Sequence, residues 1–273
     1  MLASIKQGLN HKNIKAKSIS PSYKSFLAFT LAEILITLGI IAVVAAITMP
    51  TIIGNYQKTV YTSQLKKTYV EMMTMLQNHL RENGGDDLVQ SGFCSGGNNA
   101  SAKEFLANTF KIAKDCGLDS TECFAPVTEY RSWKNKSTKR TTNINGYKVI
   151  LASGAAVSLY CYNMSEESII ADIAEGNYRD YRDEPIASLY IDVNGKKGPN
   201  IGGRDLFRVY IYPDLAIDGY DMYYGCRHGE SGCSYGNNIS ENHEVNFASW
   251  CHNPNDTDGC FDKILNDGWK MNY

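Results

Sequence analysis

The chain has 273 residues, 43% hydrophobic and 21% charged, with a formal net charge of −2. That length and mixture exclude disorder and collagen-like repetition and leave room for one large domain or two small ones. The mean hydropathy of −0.31 is that of a soluble protein, but it averages unlike segments. Lys6, Lys12, Lys15, Lys17 and Lys24 lie in residues 1–28, which contain no acid. Five of the 27 basic residues therefore sit in this leader, and the other 22 face 29 acidic residues, a balance of −7 for the remainder. A basic stretch before an apolar one stays on the cytoplasmic side of a membrane, so residues beyond it are expected outside the cytoplasm.

The apolar run is Phe29 to Pro50, FTLAEILITLGIIAVVAAITMP. At about 1.5 Å per residue, residues 29–49 reach roughly 31 Å, the thickness of a hydrocarbon core. A cleaved secretory signal is the first rival, since Ala42, Ala45 and Ala46 are small residues of the kind that precede a cut. The long polar leader, the long apolar run and Glu33 one turn inside it argue against that. A carboxylate near hydrocarbon costs on the order of 2–3 kcal/mol even on mild insertion scales, so Glu33 calls for a partner. Snorkelling to the headgroups is the alternative.

The stretch Ala28-Phe29-Thr30-Leu31-Ala32-Glu33, followed by an unbroken apolar helix, resembles the N-terminus of type IV prepilins and type II secretion pseudopilins. The resemblance covers about residues 24–60. It implies that a prepilin peptidase cuts between Ala28 and Phe29 and methylates the new amine, with Ala28 standing where the family prefers Gly. It further implies that Glu33 neutralises the Phe29 amine of a neighbouring subunit, and that Pro50 occupies the position where family helices carry a loosening proline. The implied partners are the peptidase, other pilin or pseudopilin subunits, an inner-membrane assembly platform and the lipid bilayer. The implied location is the cytoplasmic (inner) membrane, single-pass with the N-terminus in the cytoplasm, and then an extracytoplasmic filament.

Past the apolar run, Tyr61, Leu65, Tyr69, Met72, Leu76 and Leu80 recur at spacings of three and four with charges between them, which predicts an amphipathic continuation over 51–83. Unbroken to Arg81, such a helix is roughly 80 Å long. Asn83-Gly84-Gly85 supplies its stop. A shorter helix is predicted over Ala102–Ala113, then a variable region to Asn145. Tyr147–Ala152 and Val157–Tyr162 flank Ser153-Gly154-Ala155 as a hairpin, and Ile186–Val193 and Leu206–Tyr212 form a second strand pair. The expected fold is α+β, a pilin-like roll: a long N-terminal helix, membrane-spanning in its first half, packed on an antiparallel sheet with disulfide-bearing C-terminal loops. Its parts are a leader (1–28), a membrane and filament-core helix (29–50), the amphipathic continuation (51–83) and an extracytoplasmic domain (84–273). The segment Ile264–Tyr273 is expected to dock an edge of that domain through Trp269 and Tyr273.

Four oxygen side chains, Asp192, Asn194, Asn200 and Asp205, lie in a glycine-rich connector. They offer calcium a set of ligands, as some major pseudopilins do in a comparable loop, but Lys196 and Lys197 oppose a cation and a self-capped turn is the alternative. No other cofactor is indicated. Eight cysteines outside the cytoplasm imply disulfides. Cys226 with Cys233 and Cys251 with Cys260 close short loops and are the preferred pairs, with Cys94 paired to Cys116 or Cys123 as a further option. Zinc among His228, His243, His252 and the last four cysteines lacks the close cysteine spacing of structural sites. Arg131, Trp133, Lys134, Lys136, Lys139 and Arg140 combine cations with an aromatic ring as single-stranded nucleic acid requires, although the −7 balance of the exported part argues against nucleic acid as a partner. No catalytic motif is present, so a non-enzymatic role is expected. The sequence thus points to a structural subunit, a minor pilin or pseudopilin of a type II secretion pseudopilus or type IV pilus-like filament. The alternatives are a DNA-capturing competence-type minor pilin and an unprocessed single-span membrane protein with a binding ectodomain.

Overall fold

A computed structural model describes residues 30–97, 99–162, 184–219, 239–255 and 257–273. The chain divides into two units, Met1–Pro50 and Thr51–Tyr273. Helix α1, Leu31–Asn83, contributes to both. Its first part is apolar all round, none of residues 31–49 is buried, and it is long and apolar enough to cross a membrane. Its few hydroxyls are satisfied within the helix: Thr37 donates to the Ile34 carbonyl at 3.0 Å and Thr48 to the Val44 carbonyl at 2.9 Å. Pro50 lies inside the helix and, lacking an N–H, removes the bond to the carbonyl of Ala46.

In the second unit α1 is one-sided. Tyr61, Leu65, Met72 and Leu76 are buried at helical spacing, whereas Lys67 and Glu71 stay outside as a solvated pair 3.9 Å apart. The helix stops at Gly84, whose φ of 76° suits a left-handed cap and whose N–H reaches the Leu80 carbonyl at 2.9 Å.

Helix α2, Asn99–Thr109, follows, and then a sheet of β1 (Ile112–Gly117), β2 (Arg131–Ser132), β3 (Tyr147–Leu151), β4 (Ala156–Cys161), β5 (Ala187–Asp192), β6 (Ile201–Gly202), β7 (Leu206–Ile211) and β8 (Ile217–Asp218). Its order is β1-β3-β4-β5-β7-β6-β2, with β8 on β7. A single turn, α3 (Ser120–Cys123), a short 3-10 turn (Val127–Glu129) and the helices α4 (Ile239–Trp250) and α5 (Cys260–Asn266) complete the described elements.

Strand alternation sorts the side chains into cross-strand rows. Val149, Val157, Ile191 and Phe207 form one row, and Tyr147, Leu159, Leu189 and Val209 the next. Both rows join Leu65, Met72 and Leu76 of α1, Leu106 of α2 and Phe261 of α5 in one core. Each such buried side chain contributes about 1.5–3 kcal/mol. The rows on the other face are different. One runs Lys148, Ser158, Tyr190 and Arg208, and the chain over residues 116–144 and 251–258 covers it with Phe124, Tyr130 and Arg140 among others.

The fold is α+β as expected, but the sheet is mixed. The short strands β6 and β2 pair parallel, β6 beside β7 and β2 beside β6, because the Gly203–Asp205 turn returns the chain along its own direction. The second helix ends at Thr109, short of the expected Ala113, and β1 begins at once. The sequence hides β1 because it is a largely exposed edge, IAKDCG, without apolar alternation. Trp269 and Tyr273 dock through their rings, as expected, and do so on helices: Trp269 meets Tyr69 of α1 at 5.0 Å, and Tyr273 meets Phe247 of α4 at 5.0 Å.

Among the described residues three cysteine pairs lie at disulfide distance: Cys94 and Cys161, Cys116 and Cys123, Cys251 and Cys260. Cys94 therefore meets Cys161 rather than Cys116 or Cys123, because β4 carries Cys161 to the loop after α1. Cys226 and Cys233 lie outside the described residues. The pair separated by 67 residues closes the largest loop. Its removal is expected to cost about 4 kcal/mol against roughly 2 for the pair separated by seven. Thermal unfolding of the two double Cys→Ala variants in detergent measures the difference, and peptide mapping without reductant checks the connectivity.

Candidate functional site

The residues expected to govern processing, Ala28 and Phe29, lie outside the described residues. Glu33 is described. Its Oε2 accepts from both the Thr30 N–H and the Thr30 hydroxyl at 2.9 Å, while its own N–H donates to the Thr30 Oγ1 at 3.2 Å. This is a capping box: it satisfies amides at the helix start that have no partner within the helix. Glu33 thus has partners within its own chain. Around it Leu35, Ile36, Ile41 and Ile47 are 62%, 63%, 62% and 71% exposed, so this helix needs an apolar surrounding that it lacks by itself.

The connector between β5 and β7 brings the four expected calcium ligands together but spends their atoms on the chain. The Asp205 carboxylate accepts the N–H groups of Asn200 at 2.8 Å and Ile201 at 2.5 Å. Asp192 accepts from the Tyr130 hydroxyl and from the Asn194 N–H at 3.3 Å. The side-chain amide of Asn194 donates to the Tyr61 hydroxyl at 3.2 Å, and that of Asn200 to Glu129 at 3.3 Å. Burial, with the neighbouring Asp205, holds the Asp192 carboxyl well above the usual range, and burial pushes Asp205 up to about 6. Carboxylates that accept amides in a buried turn cap the backbone; of these four side chains, Asn194 and Asn200 each keep an Oδ1 atom buried without a partner. These residues fit a self-capped turn better than a calcium cage. Gly203 closes it, since a Cβ there would stand 2.3 Å from the Sγ of Cys260.

The six residues read as a nucleic-acid surface are divided by the structure. Arg140 is 1% exposed. Its guanidinium donates to the carbonyls of Thr142 and Pro254 at 2.9 and 3.0 Å and to the Tyr190 hydroxyl at 3.1 Å, and lies 5.0 Å from the centre of that ring. Trp133 stacks on Phe247 at 5.9 Å and donates to the Cys251 carbonyl at 3.1 Å. Arg131 is half-buried, and only Lys134, Lys136 and Lys139 are exposed. A base-stacking strip with these six side chains is therefore not formed: its ring and one of its arginines hold the cover of the sheet.

One cluster escaped sequence reading. Asp218 at the end of β8, His243 on α4 and Asp262 on α5 are all buried, and one ligand atom from each lies within 4.8 Å of the others. Burial pushes Asp262 up to about 7, while hydrogen bonding to Asp218 and the charge of Asp262 raise His243 to about 9 against the opposing effect of burial. Separations of 25 and 19 residues match no motif, so no local spacing could have disclosed it. Comparison with protein-family models, curated proteins and solved structures finds no match for the chain.

Two outcomes follow from the divided basic loop. Arg140→Ala is expected to destabilise the protein by about 3 kcal/mol or more, because it strands buried carbonyls and a ring. Changing Lys134, Lys136 and Lys139 together to Gln is expected to move stability by no more than about 0.5 kcal/mol per site. Thermal unfolding of the detergent-solubilised chains measures both.

Proposed function

We propose that this chain is a pilin-like structural subunit, a minor pilin or pseudopilin. Its Phe29–Pro50 segment is held in the cytoplasmic membrane and, after a cut before Phe29, packs among the same segments of neighbouring subunits. The domain beyond is displayed outside the cytoplasm as an α+β pilin-like roll. One observation carries this reading: Glu33, the only charged residue between Phe26 and Ile53, follows Phe29 by four residues at the start of a helix with no buried residue over 31–49. Lipid alone solvates such a helix but gives its carboxylate no counter-charge, whereas a neighbour's amine does. The continuation of the same helix into a folded domain supports it further.

A second reading is favoured by the capping box. Glu33 has donors within its own chain, so an unprocessed single-span protein with Ala28 intact satisfies it too.

The variants Glu33→Gln and Glu33→Val separate the two. Glutamine at this position keeps a capping box but carries no charge. In the filament reading the mature protein begins at methylated Phe29, and both variants reach the membrane in normal amount while cross-linked multimers fall at least tenfold. A start at Met1 with multimers unchanged in Glu33→Gln overturns it. N-terminal sequencing and cross-linking of membrane fractions give the readout.

A further inference from the structure

We infer that Asp218, His243 and Asp262 form a binding site for one divalent metal ion, with Zn²⁺ the cation that best suits the donors. The site is distinct from the β5–β7 connector and uses none of its residues. Its three donors come from three elements: β8, α4 and α5. His243 Nε2 stands 2.9 Å from Asp218 Oδ1, a direct contact that a tetrahedral cation about 2 Å from each atom would open by only a few tenths of an ångström. The other ring nitrogen, Nδ1, lies 3.0 Å from the Oδ1 of Asn266. The side-chain nitrogen of Asn266 donates to the Ser240 carbonyl at 2.7 Å, which turns its oxygen towards the ring. In the tautomer that donates from Nδ1 to Asn266, Nε2, which lies against Asp218 Oδ1, is the nitrogen that would face a metal, an arrangement typical of metal-bound histidines.

Asp262 supplies the observation that points to a ligand. It is fully buried, its Oδ2 accepts from Asn246 at 3.0 Å, and its Oδ1 has no hydrogen-bond partner. A buried carboxylate oxygen without a donor is costly and is normally found where something else fills the position. The carboxylate is packed against Gly219, where a Cβ would stand 1.6 Å from the same Oδ1, so only glycine admits Asp262 at this place. Charge points the same way. Two carboxylates and a neutral imidazole sum to −2, which a dication cancels. One imidazole nitrogen with two carboxylate oxygens suits Zn²⁺ among divalent ions, and water completes the shell.

The full chain in detergent micelles, stripped with a chelator and dialysed, is titrated with Zn²⁺ against a chromophoric competitor at pH 7. One tight equivalent is expected, with a melting temperature that rises on loading. Asp262→Asn is nearly isosteric, and its binding is expected to fall at least tenfold while its metal-free melting temperature stays close to that of the unmodified chain. Absence of a tight equivalent, or an equivalent unaltered in Asp262→Asn, overturns the proposal. If that variant does not fold, the unmodified chain decides alone. Cu²⁺ with ascorbate oxidises residues beside the bound ion, and mass spectrometry is expected to find His243 oxidised, with protection by excess Zn²⁺. Oxidation confined to other histidines overturns the assignment.

Discussion

Helix α1 has to meet two different solvation conditions along its length, and much of the chain follows from that. Over 31–49 nothing covers it, so its side chains are apolar on every side and its threonine hydroxyls donate back to the helix. From Tyr61 onward its buried apolar residues, Tyr61, Leu65, Met72 and Leu76, fall on one stripe, and most of the remaining positions are polar. The backbone is the same in both stretches; the change is in which side chains the surroundings will tolerate. Pro50 stands at the change, where the loss of one ladder bond matters least to either packing surface.

The sheet has a corresponding division between its faces. The face that joins α1 is built from branched and aromatic hydrocarbon in register, which needs volume and little else. The opposite face buries Lys148, Ser158, Tyr190 and Asp192, and burial of polar groups demands donors and acceptors for each. Backbone carbonyls of the covering segments meet much of that demand: Lys148 donates to the carbonyls of Leu118 and Gly146, and Arg140 to those of Thr142 and Pro254. This accounts for several of the tyrosines, which combine a ring for the sheet with a hydroxyl for the network, as Tyr130 does with Asp192 and Tyr212 with the Gly219 carbonyl.

Legibility in the sequence followed the range of the interactions involved. The stripe on α1, the glycine stop and the four central strands are written in residues a few positions apart, and periodicity found them within one or two residues of their ends. β1 was missed because an exposed edge strand needs no alternating hydrocarbon, and β2, β6 and β8 because two residues have no period. Arg140 read as solvent-facing because a charge in a run of charges gives no sign of the carbonyls that meet it, one of them 114 positions away. The pairing of Cys94 with Cys161 and the gathering of Asp218, His243 and Asp262 are likewise tertiary facts. For the N-terminal motif the sequence remains the fuller source, since Ala28 and Phe29 lie outside the described residues.

The segment between Trp133 and Arg140 is a strap fastened at both ends. Trp133 is set between Phe247 and Tyr273, Arg140 is locked beneath the chain near Pro254, and the six residues between them are exposed. Its tip is therefore free to change in sequence while its anchors are not. An epitope or fluorophore placed between Lys136 and Ser137 has a fixed base on a stable fold, which makes this strap the natural attachment point for a label on the folded domain.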